Sequence, residues 1–238
     1  PEIPLPQGVQ LAYLPHYFGV DLRLMVSADN ARIAEELIEQ PQGWLKRKLG
    51  ALVYGEDDDT LESVVGGLLR GRGAKVALAE SCTAGMIAAR LADVPGSSDY
   101  LERGYVTYSN QSKVDLLGVS PQTIEKNGAV SKAVASEMAL GALKRASVDF
   151  AISVTGIAGP DGGSAEKPVG LVWIAIARKT EADVVVDTCK FFFGPDRRVN
   201  RERATGVSLN LLRLALLGEK APPLAEHAQW VEPAALDS

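Results

Sequence analysis

The sequence predicts an α/β protein: a three-layer α/β/α domain with a mixed central sheet, preceded by a small N-terminal α/β domain. Three observations predict it. From Thr60 onward helical and strand patterns alternate, the pattern of a sheet covered by helices. Two late strand patterns, Val169 to Ala177 and Val184 to Phe193, follow one another with no helix between them, which makes the sheet mixed rather than purely parallel. The chain has 238 residues, 46% hydrophobic and 23% charged, enough to bury a substantial core.

In chain order, Val20 to Ser27 alternates as a strand, and Ala28-Asp29-Asn30 caps a helix carrying Ile33, Leu37 and Ile38. Pro41 is expected to break or kink that helix. A short helix from Gln42 to Leu49 and a short strand from Ala51 to Tyr54 complete a unit spanning 1–55. The acidic run Glu56-Asp57-Asp58-Asp59 has the composition of a metal chelator, but acids at an element boundary more often cap the next helix. The domain boundary is placed there.

Within 56–218, Thr60 to Arg70 is a helix with Leu61, Val64, Val65, Leu68 and Leu69 on one side, ended by Gly71-Arg72-Gly73. The strand Lys75 to Ala79 leads into a helix at Ala84 to Ala92. Tyr105 to Tyr108 is a strand, and Gln111 to Leu117, Pro121 to Lys126 and Lys132 to Ala146 are helices, the last set up by Ser131. The strand Phe150 to Val154, the two late strands and a closing helix from Arg197 to Leu217 follow. The proline- and alanine-rich 219–238 has no apolar period and reads as a surface tail.

Composition excludes several functions. A formal net charge of −5 disfavours a broad nucleic-acid surface. Two cysteines, Cys82 and Cys189, build neither a disulfide framework nor a structural zinc site, which fits a reducing cytoplasm. No apolar stretch approaches the roughly 20 residues of a membrane helix, and the opening residues lack a secretory pattern. The only histidines, His16 and His227, lie near the ends, so a hydrolytic site in the middle of the chain is not a Ser-His-Asp triad.

Four segments carry candidate chemistry. Ala79-Glu80-Ser81-Cys82-Thr83-Ala84-Gly85 sits where a strand hands over to a helix, so that a nucleophile stands at the carboxyl end of the sheet beside unpaired helical N–H groups. Ser81 and Thr83 are equally the residue types that cap helices. Tyr108 and Lys113 come from a strand end and the first helical turn after it, where both can face one crevice; their ordinary fate is a half-buried tyrosine and a surface lysine. Without histidine a serine needs another base, and a lysine serves once desolvation lowers its pKa to about 7 to 8. Thr155-Gly156-Ile157-Ala158-Gly159-Pro160-Asp161-Gly162-Gly163 is a phosphate cradle or a merely flexible connection. Arg197, Arg198, Arg201 and Arg203 begin a helix whose macrodipole they oppose, which indicates an anion or a solvated face.

Those segments, with Arg103-Gly104-Tyr105-Val106-Thr107-Tyr108-Ser109-Asn110, Gly128-Ala129-Val130-Ser131 and Lys167-Pro168-Val169-Gly170, resemble the C-terminal domain of the competence/damage-inducible CinA family, the PncC-type nicotinamide mononucleotide deamidases. The likeness runs from about Thr60 to Leu217, while 1–55 resembles more weakly the KH-like linking domain of longer members. Those members open with a further domain, similar to molybdopterin-binding proteins, so the likeness implies that this chain corresponds to their later portion.

The resemblance implies hydrolysis of the carboxamide of nicotinamide mononucleotide, with no cofactor and no metal, in a homodimer; charge and apolar lengths point to no nucleic-acid and no membrane partner. It implies Ser81 as nucleophile, Lys113 as base, and Tyr108 orienting that lysine or relaying its proton. Thr83, Ala84 and Gly85 would hold the oxyanion; Tyr105, Asn110, Thr155, Gly156 and Gly159 would contact the nucleotide, and Arg197 its phosphate. Two positions depart from the family pattern. Ala84 replaces a frequent second glycine, narrowing the substrate's approach, and Gly194-Pro195-Asp196-Arg197 reverses a frequent order, which bears on the direction of Arg197. Two other functions compete: Cys82 as nucleophile, and a nucleotide-sensing or partner-binding module without turnover.

Overall fold

A computed structural model describes residues 3–16, 19–219 and 229–231, which divide into two compact units, Pro1–Glu56 and Asp57–Ser238. In the first unit β1 (Val9–His16) pairs antiparallel with β2 (Gly19–Val26), followed by α1 (Ala31–Leu49). Asn30 caps α1 through its side chain, but Pro41 does not end the helix. Ile33, Leu37, Pro41 and Leu45 recur every four residues along the inward stripe of α1, so the proline's lost N–H bond is offset by burial on that face. The segment expected as a strand at Ala51 to Tyr54 instead opens with a 3₁₀ turn, Gly50–Leu52. Of the acidic run, Glu56 pairs back to Lys46, whereas the next helix is capped by Thr60 and Ser63 in a reciprocal box. Among the described residues no cluster of metal-ligating side chains forms.

The second unit comprises α2 (Leu61–Gly71), β3 (Val76–Glu80), α3 (Met86–Ala92), β4 (Leu101–Val106), α4 (Asn110–Leu117), α5 (Pro121–Asn127), α6 (Lys132–Ala146), β5 (Phe150–Gly156), β6 (Leu171–Lys179), β7 (Val184–Phe192), α7 (Arg197–Leu217) and β8 (Gln229–Val231). The sheet order is β4-β3-β5-β6-β7-β8. β3 runs parallel to both β4 and β5, and the remaining pairs are antiparallel, so the sheet is mixed. Most of the expected tail lies outside the described residues, but Gln229–Val231 corrects that reading by adding an edge strand to β7.

Strand alternation assigns the two faces of the sheet. Ala77, Ala79, Ala151, Ala175 and Ala177 form one face, packed with Val134, Ala135, Met138 and Ala142 of α6. Their small side chains let α6 lie close. Val76, Leu78, Ile152, Val154, Ile174 and Ile176 turn the other way, toward the side covered by α2, α3 and α7. A further close approach fixes α4 against α6: a Cβ on Gly141 would come 2.0 Å from the Leu117 carbonyl oxygen. No helix among the described residues is long and apolar enough to cross a membrane.

Candidate active site

The parallel strands β3, β4 and β5 end at one edge of the sheet. β3 lies between the other two, so the chain leaves it for β4 on one side and returns to β5 on the other, and the diverging connections open a cleft. Of the expected site residues, Ser81, Tyr108, Asn110, Lys113, Thr155, Gly156 and Arg197 line this cleft, joined by Cys82, Ala129, Val130 and Ala158. Thr83, Ala84, Gly85, Tyr105 and Gly159 do not line it.

Alternation along β3 determines where Ser81 points. The Ser81 N–H donates to the Val154 carbonyl at 2.9 Å, so the pleat persists one residue beyond the strand. Glu80 then faces α3, while Ser81 shares the side of Ala79, where α4 and α6 lie. From α4, the Lys113 Nζ meets the Ser81 Oγ at 3.0 Å and donates to the Thr107 carbonyl at 2.7 Å. Lys113 is only 1% exposed, and burial pulls its pKa from the ordinary lysine range down to about 8. A neutral amine there keeps an N–H for the Thr107 carbonyl and turns its lone pair to the serine proton.

Cys82 beside it is different in kind. Burial pushes its thiol up to about 12, so it stays protonated and is a poor nucleophile at neutral pH.

Glu80 was missed at the sequence level and changes the reading of the loop. Its buried carboxylate accepts the N–H groups of Gly85 and Ile87 on one oxygen, at 2.9 and 3.2 Å, and of Ala88 on the other at 3.0 Å. The start of α3 is thereby occupied by the protein's own anion. The Ala84 N–H closes a turn on the Ser81 carbonyl at 3.1 Å. Ala84 and Gly85 are therefore not oxyanion donors, contrary to expectation. Ala84 is exposed and outside the cleft, so it does not narrow the substrate's approach; its methyl is instead accommodated at a φ of +51°.

Tyr108 also differs from expectation. The residue is 58% exposed, its phenol accepts a hydrogen bond from Arg197 at 2.9 Å, and only its backbone carbonyl approaches Lys113, at 3.5 Å. Arg197 donates in addition to the Gly159 carbonyl at 2.9 Å, so despite the reversed Gly-Pro order it reaches across the rim of the cleft. Tyr105 packs against the α6 side of the core. Thr155 donates to the Ala129 carbonyl at 2.9 Å, tying two walls of the cleft together. Gly156, in the lining of the cleft, is also a packing requirement: a Cβ there would meet Val172 Cγ2 at 2.7 Å and the Leu171 carbonyl at 2.9 Å. Of the arginines expected to indicate an anion, Arg201 donates to the Cys82 and Thr83 carbonyls and Arg203 to that of Phe193.

Fold and site together define a three-layer α/β domain with a buried serine–lysine pair at the switch point of its sheet. Residues 58–216 match the model of the CinA C-terminal domain, and the chain belongs to the CinA family. It is 44% identical over 209 residues to a CinA-like protein of Chloroherpeton thalassium, covering 88% of this chain and 50% of that protein. A CinA-like protein of Chlorobaculum tepidum is 46% identical over 224 residues, covering 90% and 51%. The chain thus spans about half the length of the curated relatives it matches. Among solved structures, the competence/damage inducible protein CihA from Agrobacterium tumefaciens superposes with a TM-score of 0.62 at 43% identity, over 66% of this chain and 93% of that one. A CinA superfamily protein from Escherichia coli gives 0.58 at 32% identity, over 70% and 98%.

Proposed function

We propose that this chain is a serine–lysine amidohydrolase acting on the carboxamide of nicotinamide mononucleotide, releasing nicotinic acid mononucleotide and ammonia. The observation that carries the reaction type is the contact of 3.0 Å between Ser81 Oγ and a buried lysine amine whose pKa is drawn down to about 8. The resemblance to the deamidases supports the choice of substrate.

Lys113 in its neutral form takes the Ser81 proton as Oγ attacks the carboxamide carbon. The negative oxygen of the tetrahedral intermediate is received by backbone N–H groups directly after Ser81. The lysine ammonium then passes its proton to the departing nitrogen, and ammonia leaves a nicotinoyl ester on Ser81. Water, deprotonated by the same amine, cleaves the ester. Arg197 at the rim offers the charge for the substrate phosphate, and Thr155 and Asn110 supply polar lining. The mechanism calls on no metal.

The test is ammonia release from nicotinamide mononucleotide by the chain, with Ser81→Ala and Lys113→Ala alongside. Turnover lost in both variants, with the nucleotide still bound, is the expected result. A folded wild-type chain that binds the nucleotide without turning it over would favour a sensing module instead.

A further inference from the structure

We propose that Arg201 is a positioning residue for acyl transfer, which holds the peptide groups after Ser81 so that the N–H of Cys82, a residue that lines the cleft, receives the oxyanion. The proposal rests on the serine–lysine reading above. Arg201 stands on α7, 119 residues from the loop it serves. Its Nε donates to the Cys82 carbonyl and its Nη2 to the Thr83 carbonyl, each at 3.1 Å. These are consecutive trans peptides, and in a planar trans peptide the N–H points opposite to the C=O. Anchoring the Cys82 carbonyl on α7 therefore turns the Thr83 N–H away from that helix. Anchoring the Thr83 carbonyl orients the Ala84 N–H that closes the turn on the Ser81 carbonyl, and that carbonyl shares its peptide with the Cys82 N–H, which is thereby fixed in the opposite direction.

The other amides of the loop are spent. Gly85 donates to Glu80, Met86 to the Thr83 carbonyl and Ser81 to Val154. The N–H groups of Cys82 and Thr83 make no hydrogen bond to another residue among the described residues. Of these two donors, next in sequence to the nucleophile, Cys82 lines the cleft, whereas Thr83 is fully buried outside it. Glu80 and Arg201 thus act from opposite ends of the loop, one occupying the amides that start α3, the other fixing the turn that aims the Cys82 N–H.

The test uses Arg201→Met and Arg201→Lys with three readouts: the rate at which a fluorophosphonate labels Ser81, kcat and KM for nicotinamide mononucleotide, and the thermal midpoint. In the labelling reaction Ser81 Oγ bonds to phosphorus, its proton passes to Lys113 and fluoride leaves. The phosphoryl oxygen gains charge in the transition state whatever the natural substrate is. Arg201→Met is expected to slow both labelling and kcat by about 10- to 100-fold, with KM changed by less than about threefold, and Arg201→Lys, which keeps the charge and one donor, to fall between. A folded Arg201→Met that labels at the wild-type rate, or loses only in KM, overturns the proposal. If Arg201→Met does not fold, Arg201→Lys decides: labelling slowed by at least about fivefold with an unchanged midpoint supports the role, and wild-type labelling overturns it. Arg201-dependent labelling in a chain that leaves nicotinamide mononucleotide intact would reject the substrate while keeping this role. Turnover with labelling indifferent to Arg201 would do the reverse.

Discussion

The pH dependence of the reaction follows from the burial of Lys113. The attacking step needs the neutral amine. With the pKa drawn down to about 8, about one chain in ten carries that form at pH 7, against about one in 2,500 for an unperturbed lysine. The difference corresponds to about 3 kcal/mol between the two protonation states. Measured by ammonia release between pH 6.5 and 9.5, kcat/KM should rise about tenfold per pH unit at the acid end, pass half its maximum near pH 8 and level off above about pH 9. Ser81 labelling by a fluorophosphonate should follow the same curve, because it draws on the same base without the substrate. Lys113→Arg, whose guanidinium stays protonated throughout, should show no alkaline rise at all. A rate independent of pH across this range, in both assays, would refute the assignment of Lys113 as the base.

Three further outcomes are expected. The depressed pKa of Lys113 means that the unfolded chain binds more protons than the folded one between about pH 8 and 10.4, so this lysine weakens folding by about 3 kcal/mol below pH 8 and the loss disappears as pH rises through that window. Lys113→Met should therefore gain roughly 1–2 kcal/mol in urea unfolding at pH 7, after a cost of about 1–2 kcal/mol for leaving the Thr107 carbonyl without its donor, and should lose about that cost at pH 10.5; equal stability changes at both pH values would contradict this. Glu80→Gln presents an amide NH₂ to backbone donors and should destabilise by about 2–4 kcal/mol, whereas a loss under about 0.5 kcal/mol would show that the carboxylate does not hold the start of α3. Ala84→Gly removes the strain of a side chain at φ +51° and should raise stability by about 1 kcal/mol with activity retained, read by thermal unfolding and ammonia release.

How much of this was legible before folding depends on the range of the interactions. Lys132–Ala146 and Arg197–Leu217 have the expected bounds because a serine and an aspartate start them and their apolar periods are long. The strand at Val9–His16 was not anticipated; Pro15 interrupts an alternation that only a paired β2 completes. Of the break or kink expected at Pro41, the break does not occur, because burial of an amphipathic stripe outweighs one missing hydrogen bond. Ser81 could be singled out from a strand-to-helix junction, and Lys113 from the need for a base without histidine. Tyr108 was given the wrong contact because its backbone carbonyl, not its phenol, faces the lysine.

Residue types, periodicity and caps by themselves determined most of the helices and strands from Thr60 onward and set Ser81 and Lys113 just beyond strand ends, since these follow from interactions within a few positions along the chain. Only the tertiary structure decided that Lys113 is buried, that Glu80 occupies the start of α3 and that Arg201 reaches the nucleophile loop. The physical reason is that desolvation and hydrogen bonding depend on what surrounds a group in space. For Lys113 those surroundings come from β3 and the end of β4, and from an α6 that seats α4 through Gly141; for the loop they come from an arginine 119 residues away.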